Sequence, residues 1–275
     1  ITKIVKLGVL DVISEIESTS DIREPMRSDR FGEETESGGH VDLPRSWHMR
    51  LAQKIVSGHR CQNVQEQFDR MSFVIFNYDR CFEQYIKHYF RQYYGISDGE
   101  AAALVNGMQI FHPYGTIGLP HWRSQSSVPT VRFGPGSESF AGRPNEVAAQ
   151  IQTFAEPDTR YTEERTEIRE RIHHADVIVF LGFGFADQNM ELLRPAGLQG
   201  SPAKKRTREV YATAFGLSHQ NADVSKNKIN TIFGAKQHLY FGGERDTCDD
   251  LLRNFDGRIF PPDLQTFEEH ENGRS

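Results

Sequence analysis

Phe73-Val74-Ile75-Phe76-Asn77-Tyr78-Asp79 begins as a short apolar run of β-branched and aromatic residues and breaks off at Asn77. Such a run fits a strand covered on both faces of its sheet, which leaves Asn77, Tyr78 and Asp79 just past the strand's carboxyl end. From Arg80 to about Tyr94, apolar and aromatic residues recur at helical spacing (Phe82, Tyr85, Ile86, Tyr89, Phe90, Tyr93). The order expected here is therefore strand, polar turn, helix.

The same grammar repeats downstream. Met108 to Phe111 reads as a second strand and runs into His112-Pro113-Tyr114-Gly115. Gly118 to Gly142, rich in Gly, Pro and Ser, reads as a long excursion of the kind that often carries function. Helical patterns return at Asn145 to Phe154 and at Thr162 to His174, the latter with Glu/Arg pairs suited to an exposed face. Asp176 to Leu181 is the most hydrophobic strand candidate and ends in Gly182-Phe183-Gly184-Phe185, ahead of a helix through Met190, Leu192 and Leu193. Glu209 to Ala214 and Gln237 to Phe241 complete the strand series.

Upstream, a helix to about Glu17, a mobile polar loop over 18–39 and a helix over Arg45 to Ser57 are expected, and 262–275 reads as a polar tail. Because the chain opens on Ile1 rather than Met, removal of an upstream segment is also expected. Buried-type strands separated by helices indicate βαβ units. The fold class is α/β, a Rossmann-like, mostly parallel sheet flanked by helices, in a single domain over 1–275.

Composition narrows the function classes. The 275 residues are 37% hydrophobic and 25% charged, as in an ordinary globular enzyme. Thirty-two basic against 38 acidic side chains give a net charge of −6 with both signs scattered, so direct nucleic-acid binding is not expected. Lys204, Lys205 and Arg206 read as a solvated loop. Three cysteines, Cys61, Cys81 and Cys248, form no disulfide framework and no CxxC pair, which fits a reducing, cytoplasmic setting without a structural metal. No apolar run reaches the roughly 20 residues that span a bilayer, so no membrane partner is expected.

In open α/β sheets, ligands bind beyond the carboxyl ends of the strands. Three segments fall there: Asn77-Tyr78-Asp79, His112 to Gly115, and Gly182 to Asn189. Each has a plain alternative. Asn77 and Asp79 suit a helix cap, His112 a half-buried histidine satisfied by backbone, and the glycines a turn needing positive φ. The functional reading of Gly182 and Gly184 is that a missing Cβ lets a ribose or phosphate approach the backbone at a helix start. The spacing is not GxGxxG, since Asp187 stands at the third glycine's place.

Taken in order, these pieces resemble the sirtuins. Phe73 to Asp79 is similar to the T-x-N-x-D strand end of that family, and His112 in its His-Pro-Tyr-Gly turn resembles the catalytic histidine. Asp176 to Asn189 resembles the Gly-rich turn that meets the NAD ribose, in the G-F-G-F-x-D-x-N form of bacterial sirtuin-like defence proteins. The resemblance covers Phe73 to Phe241. Neither the family's Gly-Ala-Gly-x-S pyrophosphate loop nor the four zinc cysteines of its deacylases is matched.

The resemblance implies an NAD hydrolase of the antiphage-defence type, with NAD as substrate and no metal. Asn77 would position the water and bind ribose, Asp79 would hold the carboxamide or order the loop, and His112, with an unperturbed pKa of about 6.5, would be the base. Gly182, Gly184 and Phe185 would form the ribose wall, with Phe76, Tyr78, Gly115, Phe183, Asp187 and Ala214 as further NAD contacts. The family also implies a homo-oligomer and a defence partner such as a HerA-type ATPase or an Argonaute-like protein. Two alternatives stand beside this reading: a module that holds NAD or ADP-ribose without cleaving it, and a protein deacylase, which the absent zinc cysteines disfavour.

Overall fold

The computed structural model describes residues 46–123, 129–131, 133, 143–152, 162–195, 208–234 and 237–260. The expected first helix, the 18–39 loop, the 204–206 run, much of the 118–142 excursion and the 262–275 tail lie outside the described residues. The chain divides into two compact units, Ile1–Ile168 and Arg169–Ser275.

In the first unit, helices α1 (Trp47–Val56) and α2 (Gln65–Phe68) lead to strand β1 (Ser72–Val74). Helices α3 (Cys81–Tyr94) and α4 (Asp98–Gly107) follow, then strand β2 (Gln109–Phe111). β1 and β2 pair in parallel, Phe73 opposite Ile110 and Val74 opposite Phe111. Ile75 extends the pairing by donating its N–H to the Phe111 carbonyl at 2.9 Å. Parallel neighbours need a crossover, and α3 with α4 supplies it.

α3 is buried on more than one side. Phe82, Tyr85, Ile86 and Phe90 are covered, and so are Glu83, Gln84, Lys87 and His88. The helix stops at Gly95, whose φ of 63° is the left-handed conformation glycine adopts without a Cβ clash. α4 starts three residues later, at Asp98, behind a capping box, in which Ser97 accepts the Glu100 N–H and the Glu100 carboxylate accepts the Ser97 N–H.

Beyond β2 come two short paired strands, β3 (Leu119–Pro120) and β4 (Thr130–Val131), then helices α5 (Pro144–Ala148) and α6 (Thr162–His174). The expected helix over 145–154 ends early because the chain turns to pair elsewhere: the Gln152 N–H donates to the Tyr114 carbonyl at 2.9 Å. Ile117, Val131, Val147, Ala148 and Ile151 form a local core there, with Tyr78 packed against it.

The second unit contains strand β5 (Val177–Phe180), helix α7 (Asp187–Leu192), strand β6 (Arg208–Ala212), helix α8 (His219–Phe233), strand β7 (Gln237–Phe241) and helices α9 (Cys248–Asn254) and α10 (Asp256–Ile259). The strands lie in the order β5-β6-β7, all parallel, with α7 and α8 on the two crossovers. β6 is central, and its Val210, Tyr211 and Ala212 are fully buried. Just before β5, the buried Arg208 guanidinium donates to the carbonyls of His173 (2.8 Å) and Ala175 (3.0 Å).

The architecture is thus mixed α/β, with short parallel sheets flanked by helices, a layout compatible with a Rossmann-like fold. All five expected strands are present, each bound within two residues of its expected place. Among the described residues no helix is long and apolar enough to cross a membrane.

Candidate active site

Parallel pairing of β1 with β2 brings the segments after both strands to one end of that sheet, and a hydrogen bond joins them there. Nδ1 of His112 lies 3.3 Å from the Asn77 carbonyl oxygen. Nε2 of the same ring lies 2.9 Å from Oε1 of Glu83, on the first turn of α3. The backbone N–H of His112 donates to Oε1 of Glu164 on α6 at 2.7 Å. His112 thus meets one acceptor on each ring nitrogen and a third on its backbone.

The turn after His112 is closed by the Gly115 N–H, which donates to the His112 carbonyl at 2.7 Å, and Gly115 has a φ of 75°. Arg165 steadies it by donating to the Pro113 carbonyl at 3.2 Å. The Phe76 and Tyr114 rings are tilted by 59° with their centroids 5.9 Å apart.

Electrostatics couples the pair. Burial pushes the His112 imidazole down, but the Glu83 charge, its hydrogen bond, the Asn77 carbonyl and the Glu164 charge together hold it above the ordinary histidine value. Burial likewise pushes Glu83 up, and the charge and hydrogen bond of His112, a hydrogen bond from its own backbone N–H and the charge of Arg80 hold it below the ordinary glutamate value. Glu164 is raised, chiefly by burial. Nearby, burial takes His48 down to about 4 against the opposing charge of Asp79.

The other strand-end residues divide their roles. The Asn77 side chain is exposed. Asp79 accepts the Cys81 N–H on Oδ1 at 3.0 Å, the capping role open to it from sequence. The Tyr78 hydroxyl donates to the Gln152 carbonyl at 3.1 Å while its ring packs on the core around Ile117, so Tyr78 ties the turn down. Arg80 is 1% exposed and donates to the Val131 carbonyl (2.7 Å) and the Leu119 carbonyl (3.3 Å).

In the second unit the turn after β5 has a shape of its own. Gly182 has a φ of 59°, and its N–H donates to the Thr213 hydroxyl at 2.9 Å. Among the described residues, a Cβ built on Gly182 or Gly184 meets nothing within 4 Å. Gly184, unlike Gly182, has no positive φ to require a glycine, and no described residue crowds either Cβ position.

Phe185 is the chain's one described non-glycine residue at positive φ (51°), a conformation uncommon for a bulky side chain. Burial holds it there. The ring packs against Phe180, Phe183 and Phe241, and Lys228 donates to its carbonyl at 2.9 Å. Asp187 is exposed and pairs with Lys228 at 2.8 Å. Ala214 is buried just past β6, next to Thr213.

Glu83, Glu164 and Thr213 escaped the sequence reading. The signal for Glu83 was its place four residues after Asp79, where a first-turn side chain leans back towards the helix start. Among the described residues no group of three or more His, Cys, Asp or Glu side chains could hold a metal ion.

No family model, curated protein or solved structure matches the chain.

Proposed function

We propose that the chain is an NAD hydrolase that cleaves the nicotinamide–ribose bond, with Asn77 and His112 at the centre of its site. One observation carries the reading: two residues 35 apart in sequence, singled out for the same chemistry, meet through a hydrogen bond at the ends of adjacent parallel strands.

The reaction passes through an oxocarbenium-like centre. The glycosidic electron pair leaves with neutral nicotinamide, and the oxygen of water bonds to the ribose carbon. The proton released by that water goes first to the His112–Glu83 pair and then to solvent, leaving nicotinamide and ADP-ribose. The exposed side-chain amide of Asn77 is suited to hold the water or a ribose hydroxyl. Asp79 orders the turn through Cys81.

A second reading has an observation in its favour. Both ring nitrogens of His112 already face acceptors, and Asp79 already accepts a backbone N–H. A site with its polar groups so engaged suits a module that holds NAD or ADP-ribose without cleaving it.

Chromatography of nicotinamide and ADP-ribose after incubation with NAD separates the two. His112→Ala and Asn77→Ala are each expected to lower turnover by about 100-fold or more with circular dichroism unchanged. Undiminished turnover in either folded variant sinks the assignment, and calorimetric NAD binding without product selects the binding module.

A further inference from the structure

Glu83 is 2% exposed, and its Oε2 is buried with no hydrogen-bond partner among the described residues. A carboxylate so placed is tolerated only against a compensating charge. The group at hydrogen-bond distance is Nε2 of His112, at 2.9 Å. On the other side of the ring, Nδ1 faces the Asn77 carbonyl at 3.3 Å.

A backbone carbonyl and an ionised carboxylate can only accept. A neutral imidazole has a single N–H and would set a lone pair against one of these two oxygens, whereas an imidazolium donates to both. The surrounding charges favour the same form: Glu164, which accepts the His112 N–H, adds negative potential at the ring, and Arg80 favours an ionised Glu83.

We propose that Glu83 is a positioning residue that holds His112 as an imidazolium, with one ring N–H donating to the Glu83 carboxylate and the other to the Asn77 carbonyl. The charge state stands independently of function, but its consequence for turnover rests on the hydrolase reading. An imidazolium cannot take the proton of an attacking water. The base form therefore arises only as pH rises past the point where the pair gives up its proton, above the ordinary histidine midpoint of about 6.5. The groups that set this point are Glu83 and Arg80 from the start of α3, the Asn77 carbonyl after β1, and Glu164 from α6.

Nitrogen-15 resonance of the histidine rings in the full chain reads this directly, with His112→Gln identifying the signals. The expected result is an imidazolium at His112 at about pH 7, with Glu83→Gln lowering its midpoint by about one unit or more, a tenfold change in proton affinity. A neutral His112 tautomer in the unaltered chain, or an unmoved midpoint in folded Glu83→Gln, overturns the proposal. Should Glu83→Gln not fold, the unaltered chain still decides through the Glu83 carboxyl carbon-13 signal: ionised while His112 is charged upholds the pairing, and protonated overturns it.

The pH profile of NAD turnover is the second readout. Its lower limb is expected above about 6.5 and is expected to move down in Glu83→Gln. A charged His112 in a chain that forms no nicotinamide would remove the hydrolase reading and leave the pairing intact.

Discussion

Glu83 and His112 respond to pH in opposite directions. His112 is raised in the folded chain, so its contribution to stability is complete below about 6.5 and is lost as pH rises through its folded value. Glu83 is lowered, so its contribution is complete above about 4.5 and is lost as pH falls through its folded value. Between those limits the pair stabilises most. His112→Asn should therefore cost about 3–5 kcal/mol in that window and less on either side, as for other buried pairs deprived of one partner. Denaturant titrations of both proteins across the pH range check this, and a pH-independent difference would contradict it. His112 was legible in the sequence because a polar residue directly after a strand falls where α/β sheets bind ligands. Glu83 was not, because a charged residue between Phe82 and Tyr85 looks like part of a solvated face. Only the β1–β2 register shows that it meets a histidine 29 positions away.

At the scale of elements, β1 and β5 were readable because each lies in a compact apolar run with an abrupt polar or glycine end. α4 was missed because its Ala101, Ala102, Leu104 and Val105 make no apolar stripe of bulky residues. Its start was nevertheless written in Ser97 and Glu100. The overlong expectation for α5 failed for a non-local reason, the hydrogen bond between Gln152 and Tyr114. β3 and β4 were invisible at two residues each, yet their packing is close. A Cβ on Gly118 would lie 2.6 Å from Cγ2 of Val131 and 3.0 Å from the Pro129 carbonyl, at a φ of 95°. Gly118→Ala is expected to cost about 2–4 kcal/mol, combining overpacking with backbone strain. Gly99→Ala, in open space within α4, should instead be neutral or stabilising by up to about 1 kcal/mol. Thermal melts of the two variants give the comparison, and similar melting temperatures would show that β3 and β4 yield easily.

At the scale of the whole molecule, the first compact unit holds two two-stranded parallel sheets and the second one three-stranded parallel sheet, each unit with its own buried residues. An NAD-consuming enzyme left active would be toxic, so the hydrolase reading carries the expectation of a homo-oligomer under the control of a partner such as a HerA-type ATPase or an Argonaute-like protein. Size-exclusion chromatography with light scattering is expected to show more than one copy per particle, and a monomer at every concentration would count against that part of the reading. The topology has a separate consequence. Every described strand pair is parallel, so none of these strands meets its partner across a tight hairpin. On the ribosome, β1 must wait for α3 and α4 to emerge before β2 can pair with it, and β5 must wait likewise for β6. The edges of these strands therefore stay unpaired for longer than those of a hairpin, and slower folding than that of a hairpin-built sheet is expected from the topology.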